Sequence, residues 1–181
     1  MQKKVFVVSS TPRKGGNSDI LADAFIKGVV EAGHIAEKVN IREINLKFCE
    51  GCFACQKHKD NLCAIDDDMK SYLSRIQNAD VLVFATPVYY FDMSGQLKTF
   101  LDRLNPLYPR QNNFKDIYLL ATAAEAESTT MDGTIKGVSG WIECFKGANL
   151  KAVIGALGVN DVGDINNTDY INIAYELGKN I

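Results

Sequence analysis

Lys3–Ser18 reads KKVFVVSSTPRKGGNS, and its interpretation decides the fold. The apolar run Val5, Phe6, Val7, Val8 predicts a buried strand, followed by a turn of hydroxyl, basic and glycine residues. From Asn17 and Ser18 a helical pattern begins, with Ile20, Leu21, Ala24, Phe25 and Gly28 on one face. Strand, polar loop and helix N-terminus together make the geometry of an anion site. The first helical N–H groups have no intrahelical partner, and the helix dipole favours negative charge there.

The loop carries what a phosphate needs. Ser10, Thr11 and Ser18 offer hydroxyl donors, and Arg13 offers a charge-assisted one. Gly15 and Gly16 let the backbone approach a ligand. Neither G-x-x-x-x-G-K-[ST] nor G-x-G-x-x-G occurs. The same residues also read as a plain strand-to-helix turn capped by Asn17 or Ser18, with Arg13 solvated. The loop alone leaves both readings open.

Downstream, strand and helix signals alternate. Ile35–Ile41 predicts a second strand near a sheet edge, with Gly33 as the C′ residue of the first helix and His34 at the surface. Asp66, Asp67 and Asp68 open a helix whose inward face is Met69, Tyr72, Leu73 and Ile76. Three consecutive carboxylates at a helix start cannot all converge on one ion. Ala79–Ala85 (ADVLVFA) is the strongest strand, and its unbroken apolar run suits burial on both faces. After it come a helix over Gly95–Leu104, a strand over Asp116–Thr122, and a helix carrying Ile135, Val138, Ile142 and Phe145. A strand over Leu150–Val159 and a helix capped by Thr168 complete the chain, and Cys144 reads as a small buried apolar residue.

Five strands alternating with five helices predict one α/β domain over residues 1–181. The alternation argues a doubly wound, five-stranded parallel sheet with helices on both faces. Right-handed crossovers narrow its topology, and the commonest arrangement of this size is the flavodoxin-like order 2-1-3-4-5. A ligand in such a sheet sits at the carboxyl ends of the strands, beside the switch point. That end gathers three loops. They are the Ser10–Ser18 turn, the aromatic and apolar stretch Pro87, Val88, Tyr89, Tyr90, Phe91, and the loop from Thr122. The aromatic stretch suits a flat ring, and equally suits core packing or a subunit interface.

A net charge of −2 gives no electrostatic case for nucleic acid or an anionic membrane. No apolar run approaches the ~20 residues that span a bilayer, and the first apolar run is too short for a signal peptide. The expected setting is cytoplasmic. The five cysteines agree, being odd in number with four of them between Cys49 and Cys63.

Ser10–Ser18 (S-T-P-R-K-G-G-N-S) together with Pro87–Arg103 (P-V-Y-Y-F-D-M-S-G-Q-L-K-T-F-L-D-R) resembles the NAD(P)H-dependent FMN reductase family of the flavodoxin-like superfold, and the similarity runs over the whole chain. The resemblance implies FMN, with its phosphate on Thr11, Arg13, Asn17 and Ser18 and with Ser10 and Gly16 lining the turn. The isoalloxazine would rest against Pro87, Val88, Tyr89 and Tyr90, with Phe91 nearby. The loop from Thr122 would cover the other edge through backbone groups of Ala123 and Ala124, where many relatives carry glycines and this chain has A-A-E-A-E. NADH or NADPH would supply hydride for a flavin, quinone or nitroaromatic-type acceptor. No catalytic acid–base pair is required, because the chemistry belongs to the flavin. A homodimer is implied, since relatives complete the flavin pocket across a subunit interface.

Cys49-x2-Cys52-x2-Cys55-x7-Cys63 lies in the long connection at about 46–65. Thiolates so spaced can hold an iron–sulfur cluster or a metal. Within the family the run is similar to the iron–sulfur flavoproteins, which implies a 4Fe–4S cluster and a ferredoxin-like redox partner. Redox-active or unmetallated thiols are a second reading and a structural disulfide a third. His58 reads as a solvated loop residue rather than a ligand.

Overall fold

Period-2 alternation in the central strands sorts the apolar side chains into two cores. A computed structural model describes residues 1–57 and 62–181; His58 lies outside the described residues. In β1 (Lys4–Ser9), Phe6 and Val8 face one side of the sheet and Val5 and Val7 the other, and all four are buried. The same split recurs in β3 (Val81–Tyr89) and in β5 (Asp116–Thr122), where Ile117 and Leu119 oppose Tyr118 and Leu120. Burial on both faces explains why these segments read as continuous apolar runs.

With β2 (Ile35–Asn40) and β6 (Asn149–Ala156), these strands form a parallel sheet in the order β2-β1-β3-β5-β6, the expected 2-1-3-4-5 topology. α1 (Asn17–Glu31) and α6 (Tyr170–Lys179) cover one face; α3 (Met69–Gln77), α4 (Gly95–Asp102) and α5 (Asp132–Glu143) cover the other. α1 and α6 touch backbone to backbone. A Cβ on Gly28 would lie 2.0 Å from the Tyr175 carbonyl oxygen, and one on Gly178 would lie 2.1 Å from that of Phe25.

Several features depart from the sequence reading. The third strand runs on to Tyr89, because β5 keeps pairing as far as Pro87–Thr122 while β1 has already left at Ser9–Ala85. Pro87 therefore sits where β1 no longer needs an N–H from it. Two short elements were not expected, β4 (Asp92–Met93), antiparallel to the end of β3, and the four-residue α2 (Ala54–Lys57). The last strand stops at Ala156, before the turn at Gly158 (φ 71°). Cys144 is exposed, not buried. It stands two positions from the inward Ile142, and such positions do not share a helix face.

Gly33 adopts φ 84° just past α1, as expected. Asp169, not Thr168, holds the N-cap position of α6 with no side-chain cap, and Thr168 Oγ1, one position earlier, accepts the Tyr170 N–H at 3.4 Å. The three carboxylates before α3 diverge. Asp66 pairs with Lys70, Asp68 accepts the Asn45 N–H, and Asp67 turns inward to Arg103. His34 is half-buried, its Nδ1 accepting the Lys3 N–H at 3.2 Å.

Candidate functional site

The first loop is anchored before it meets any ligand. Ser10 Oγ donates to the Ala85 carbonyl at 3.1 Å and accepts from Ser94 Oγ at 3.0 Å, so the β1 loop is tied to the end of β3 and the start of α4. Ser94 also caps α4, its oxygen accepting the Leu97 N–H. Thr11 is buried and accepts the Arg13 N–H at 3.3 Å. Gly16 closes the cradle, because a Cβ there would stand 2.6 Å from Thr11 Oγ1 and 3.2 Å from the Arg13 carbonyl. Gly15 takes φ 64°, which suits a residue without a Cβ.

Neither Asn17 nor Ser18 caps α1, contrary to the plain-turn reading; Gly16 holds the N-cap position with no side-chain cap. The Asn17 amide donates to the Asp161 carbonyl at 2.9 Å and accepts from Gly163 N–H at 3.0 Å, tying the loop after β6 to α1. Arg13 is exposed and its Nη1 donates to the Asn160 carbonyl at 2.8 Å. Ser18 is 1% exposed, and its hydroxyl has no partner among the described residues. A buried, unsatisfied donor beside a glycine cradle at a helix N-terminus is what an anion would complete. The residues present fit a phosphate.

Behind the cradle stands a charge cluster with no sequence signature. Asp19 accepts from Ser9 Oγ at 2.8 Å and Lys38 Nζ at 3.1 Å, and faces Arg42 Nη1 at 3.3 Å. Burial opposes the Asp19 charge, but Ser9, Lys38 and Arg42 outweigh it and hold the carboxyl below the ordinary range.

The second loop is an aromatic hairpin. Pro87 is buried, Val88 half-buried, and Tyr89, Tyr90 and Phe91 are exposed. Tyr90 and Phe91 hold φ of 51° and 63°, a region bulky residues rarely enter. α5 fixes this turn by close approach. A Cβ on Gly133 would lie 2.3 Å from the Phe91 carbonyl oxygen, and one on Gly137 would lie 2.6 Å from Met93 Cε. At the third loop, Thr122 and Ala123 are buried and Ala124 is exposed. Ala123 already uses both backbone groups within the protein, N–H to the Ala156 carbonyl and C=O from the Val159 N–H, each at 2.9 Å. The three loops thus share one edge, linked by Ser10 and by the β3–β5 pairing.

The four clustered cysteines line a single small cavity with Arg103 and Asn105 at the C-terminal end of α4. Cys49 and Cys52 are exposed, Cys63 half-buried and Cys55 buried. Burial pushes the Cys55 thiol up, and the neighbouring Cys63, Cys49 and Cys52 push the same way. Among the described residues no disulfide forms, and no three His, Cys, Asp or Glu side chains close on a single-ion position. Two N–H donors reach the sulfurs, Arg103 Nη2 to Cys63 at 3.5 Å and Asn105 Nδ2 to Cys55 at 3.6 Å. Four thiols around one cavity, with donors to two of them, are a donor set that fits a thiolate-bound cluster. Arg103 escaped the sequence reading because its partner Asp67 lies 36 residues away; its only trace is a charge three positions after the inward Phe100.

The chain is 34% identical over 103 residues to an iron-sulfur flavoprotein of Archaeoglobus fulgidus, a match covering 57% of this chain and 46% of that protein. The chain thus spans about half the length of that relative. It is 33% identical over 132 residues to YwqN of Bacillus subtilis, whose name describes an NAD(P)H-dependent FMN-containing oxidoreductase, covering 67% of each chain. The solved NAD(P)H:quinone oxidoreductase of Methanothermobacter marburgensis has the same fold, with a TM-score of 0.74 at 19% identity over 99% of this chain and 97% of that one. The NADPH-dependent FMN reductase family matches residues 3–136, which takes in the anion cradle, the cysteine run, the aromatic hairpin and the whole switch point. The chain belongs to that family of flavin-dependent NAD(P)H oxidoreductases.

Proposed function

We propose that this protein binds FMN at the carboxyl edge of its sheet and passes electrons from NADH or NADPH to a flavin, quinone or nitroaromatic-type acceptor. The observation that carries the reading is the buried, unpartnered Ser18 hydroxyl in the first turn of α1, next in the chain to the Thr11–Gly16 cradle. Ser18, Thr11 and the first N–H groups of α1 supply donors to the phosphate, and Arg13 reaches it by leaving the Asn160 carbonyl. Pro87, Val88 and Tyr89 form the wall for the ring, with Tyr90 and Phe91 at the tip and Thr122, Ala123 and Ala124 along the opposite rim. Bound flavin supplies the redox chemistry, so the side chains need only bind, orient and exclude water. The exposed Tyr90–Phe91 tip, backed closely by α5, suits a homodimer in which each tip covers its partner's site.

A second reading, electron transfer as an iron–sulfur flavoprotein with a ferredoxin-like partner, is favoured by the four thiols around one cavity. One preparation separates the two: anaerobic purification, a visible spectrum, and iron and acid-labile sulfide assays on the same sample. Flavin bands without iron, and turnover with NAD(P)H, support the reductase. Flavin bands with stoichiometric iron and sulfide, and sluggish nicotinamide oxidation, support the electron-transfer protein. No flavin after added FMN overturns both.

A further inference from the structure

The ion pair at the cysteine cavity is out of proportion to its surroundings. Arg103 and Asp67 side chains are 1% and 0% exposed, and the guanidinium meets the carboxylate with both terminal nitrogens. A buried pair of this kind is no better for stability than well-packed apolar side chains of the same volume. Its reach suggests another purpose. Arg103 Nη1 donates to the Lys47 carbonyl at 2.7 Å, two residues before the first clustered cysteine, while Nη2 donates to Cys63 Sγ at the last. Asp67 completes the clasp by accepting the Lys47 N–H at 2.9 Å and the Met69 N–H at 3.2 Å. One guanidinium therefore holds the entry and the exit of the cysteine loop and aims an N–H at a sulfur.

The cavity is an awkward place to add an electron. It lies at the C-terminal end of α4, where the helix dipole is negative, and Glu50 and Asp102, the latter paired with Lys98, also line it. Hydrogen bonds to the sulfurs are among the levers that set such a centre's potential. Asn105 adds a second on Cys55, its own orientation set by Gln56 Nε2 at 2.8 Å from its Oδ1.

We propose that Arg103 is the positioning residue of the cysteine cavity: it fixes Cys63 at the wall and, through its hydrogen bond to that sulfur, makes a bound iron–sulfur centre easier to reduce. This rests on the iron–sulfur reading of the loop. Asp67 offsets the guanidinium charge, so the two side chains pull the potential in opposite directions. Reduction adds one electron from an external reductant, and no bond is made or broken.

The test is a dye-mediated dithionite titration of the FMN-loaded protein after anaerobic reconstitution with iron and sulfide, comparing wild type, Arg103→Lys and Asp67→Asn. Lysine keeps the charge beside Asp67 but cannot fork between carboxylate and sulfur. Its reduced-to-oxidised ratio at fixed potential is expected to fall about tenfold, which is 59 mV for a one-electron couple. Asp67→Asn is expected to move the ratio upward, and the flavin potential in the same samples is expected not to move. A merely structural role would lower cluster occupancy in both variants without opposite shifts in potential. Wild-type potentials in both variants overturn the proposal. So does a wild-type protein that binds FMN but takes up no iron and sulfide, an outcome that leaves the flavin site intact. If Arg103→Lys does not fold, Asp67→Asn decides alone, an upward shift supporting the proposal and an unmoved potential overturning it.

Discussion

Ser18 is buried without a hydrogen-bond partner among the described residues, and this sets two expectations of different sign. Replacing it by alanine removes a donor to bound phosphate at a cost of ~1 kcal/mol, roughly fivefold in FMN affinity by calorimetry. The same change leaves the melting temperature of the FMN-free protein unchanged or slightly higher, since the lost hydroxyl was unsatisfied. Arg13→Ala loses a charge-assisted bond and weakens FMN by about 1.5–3 kcal/mol; wild-type affinity in that variant would remove Arg13 from the site. Asp19 is tested by acid. Burial works against its charge, but Ser9, Lys38 and Arg42 hold its folded value below the unfolded one. Its contribution is therefore complete above the unfolded carboxyl value of about 3.9 and is lost as pH falls through the folded value. In denaturant melts, the stability gap between wild type and Asp19→Asn should be widest near pH 7 and close below about pH 4.

Elements meet through glycines at two places, and only one of them touches the site. Gly28→Ala drives a Cβ to 2.0 Å from the Tyr175 carbonyl and forces α1 and α6 apart. It should lower stability by about 1–3 kcal/mol, as overpacking does, with FMN affinity of the folded protein little changed. Gly133→Ala drives a Cβ to 2.3 Å from the Phe91 carbonyl, which holds up the aromatic hairpin. It should lower both stability and FMN affinity. Equal FMN affinity in the two variants would place the hairpin outside the binding site. At this scale the sequence was legible wherever a signal was local. Asp116–Thr122 was found to the residue, and α1, α3, α4 and α6 to within about two residues, while the four-residue α2 is too short to show a period. β4 was missed because two residues carry no period, and its place depends on Gly133 and Gly137, some 40 positions on.

For the whole molecule, Tyr90 and Phe91 stand at the carboxyl edge of the sheet at 101% and 60% exposure. Light scattering should find a dimer that Tyr90→Ser/Phe91→Ser converts to monomers, with weaker FMN binding in step. A wild-type monomer at micromolar concentration would overturn the dimer. No helix among the described residues is long and apolar enough to cross a membrane.

The sequence by itself determined the parallel sheet, the loops that follow its strands and the cysteine run, all from short-range periodicity and residue type. Crossover chirality only narrows the strand order, which was expected as the commonest arrangement for this size and is the one observed. Only the tertiary structure decided which polar groups meet. Asn17 ties α1 to the loop at Asp161–Ile165, Asp19 gathers Lys38 and Arg42, and Arg103 closes on Asp67 and Cys63. Each such partner is a side chain or a backbone group well removed in sequence, chosen by burial and by the cost of leaving a charge or an amide unpaired. Local pattern does not name the partner.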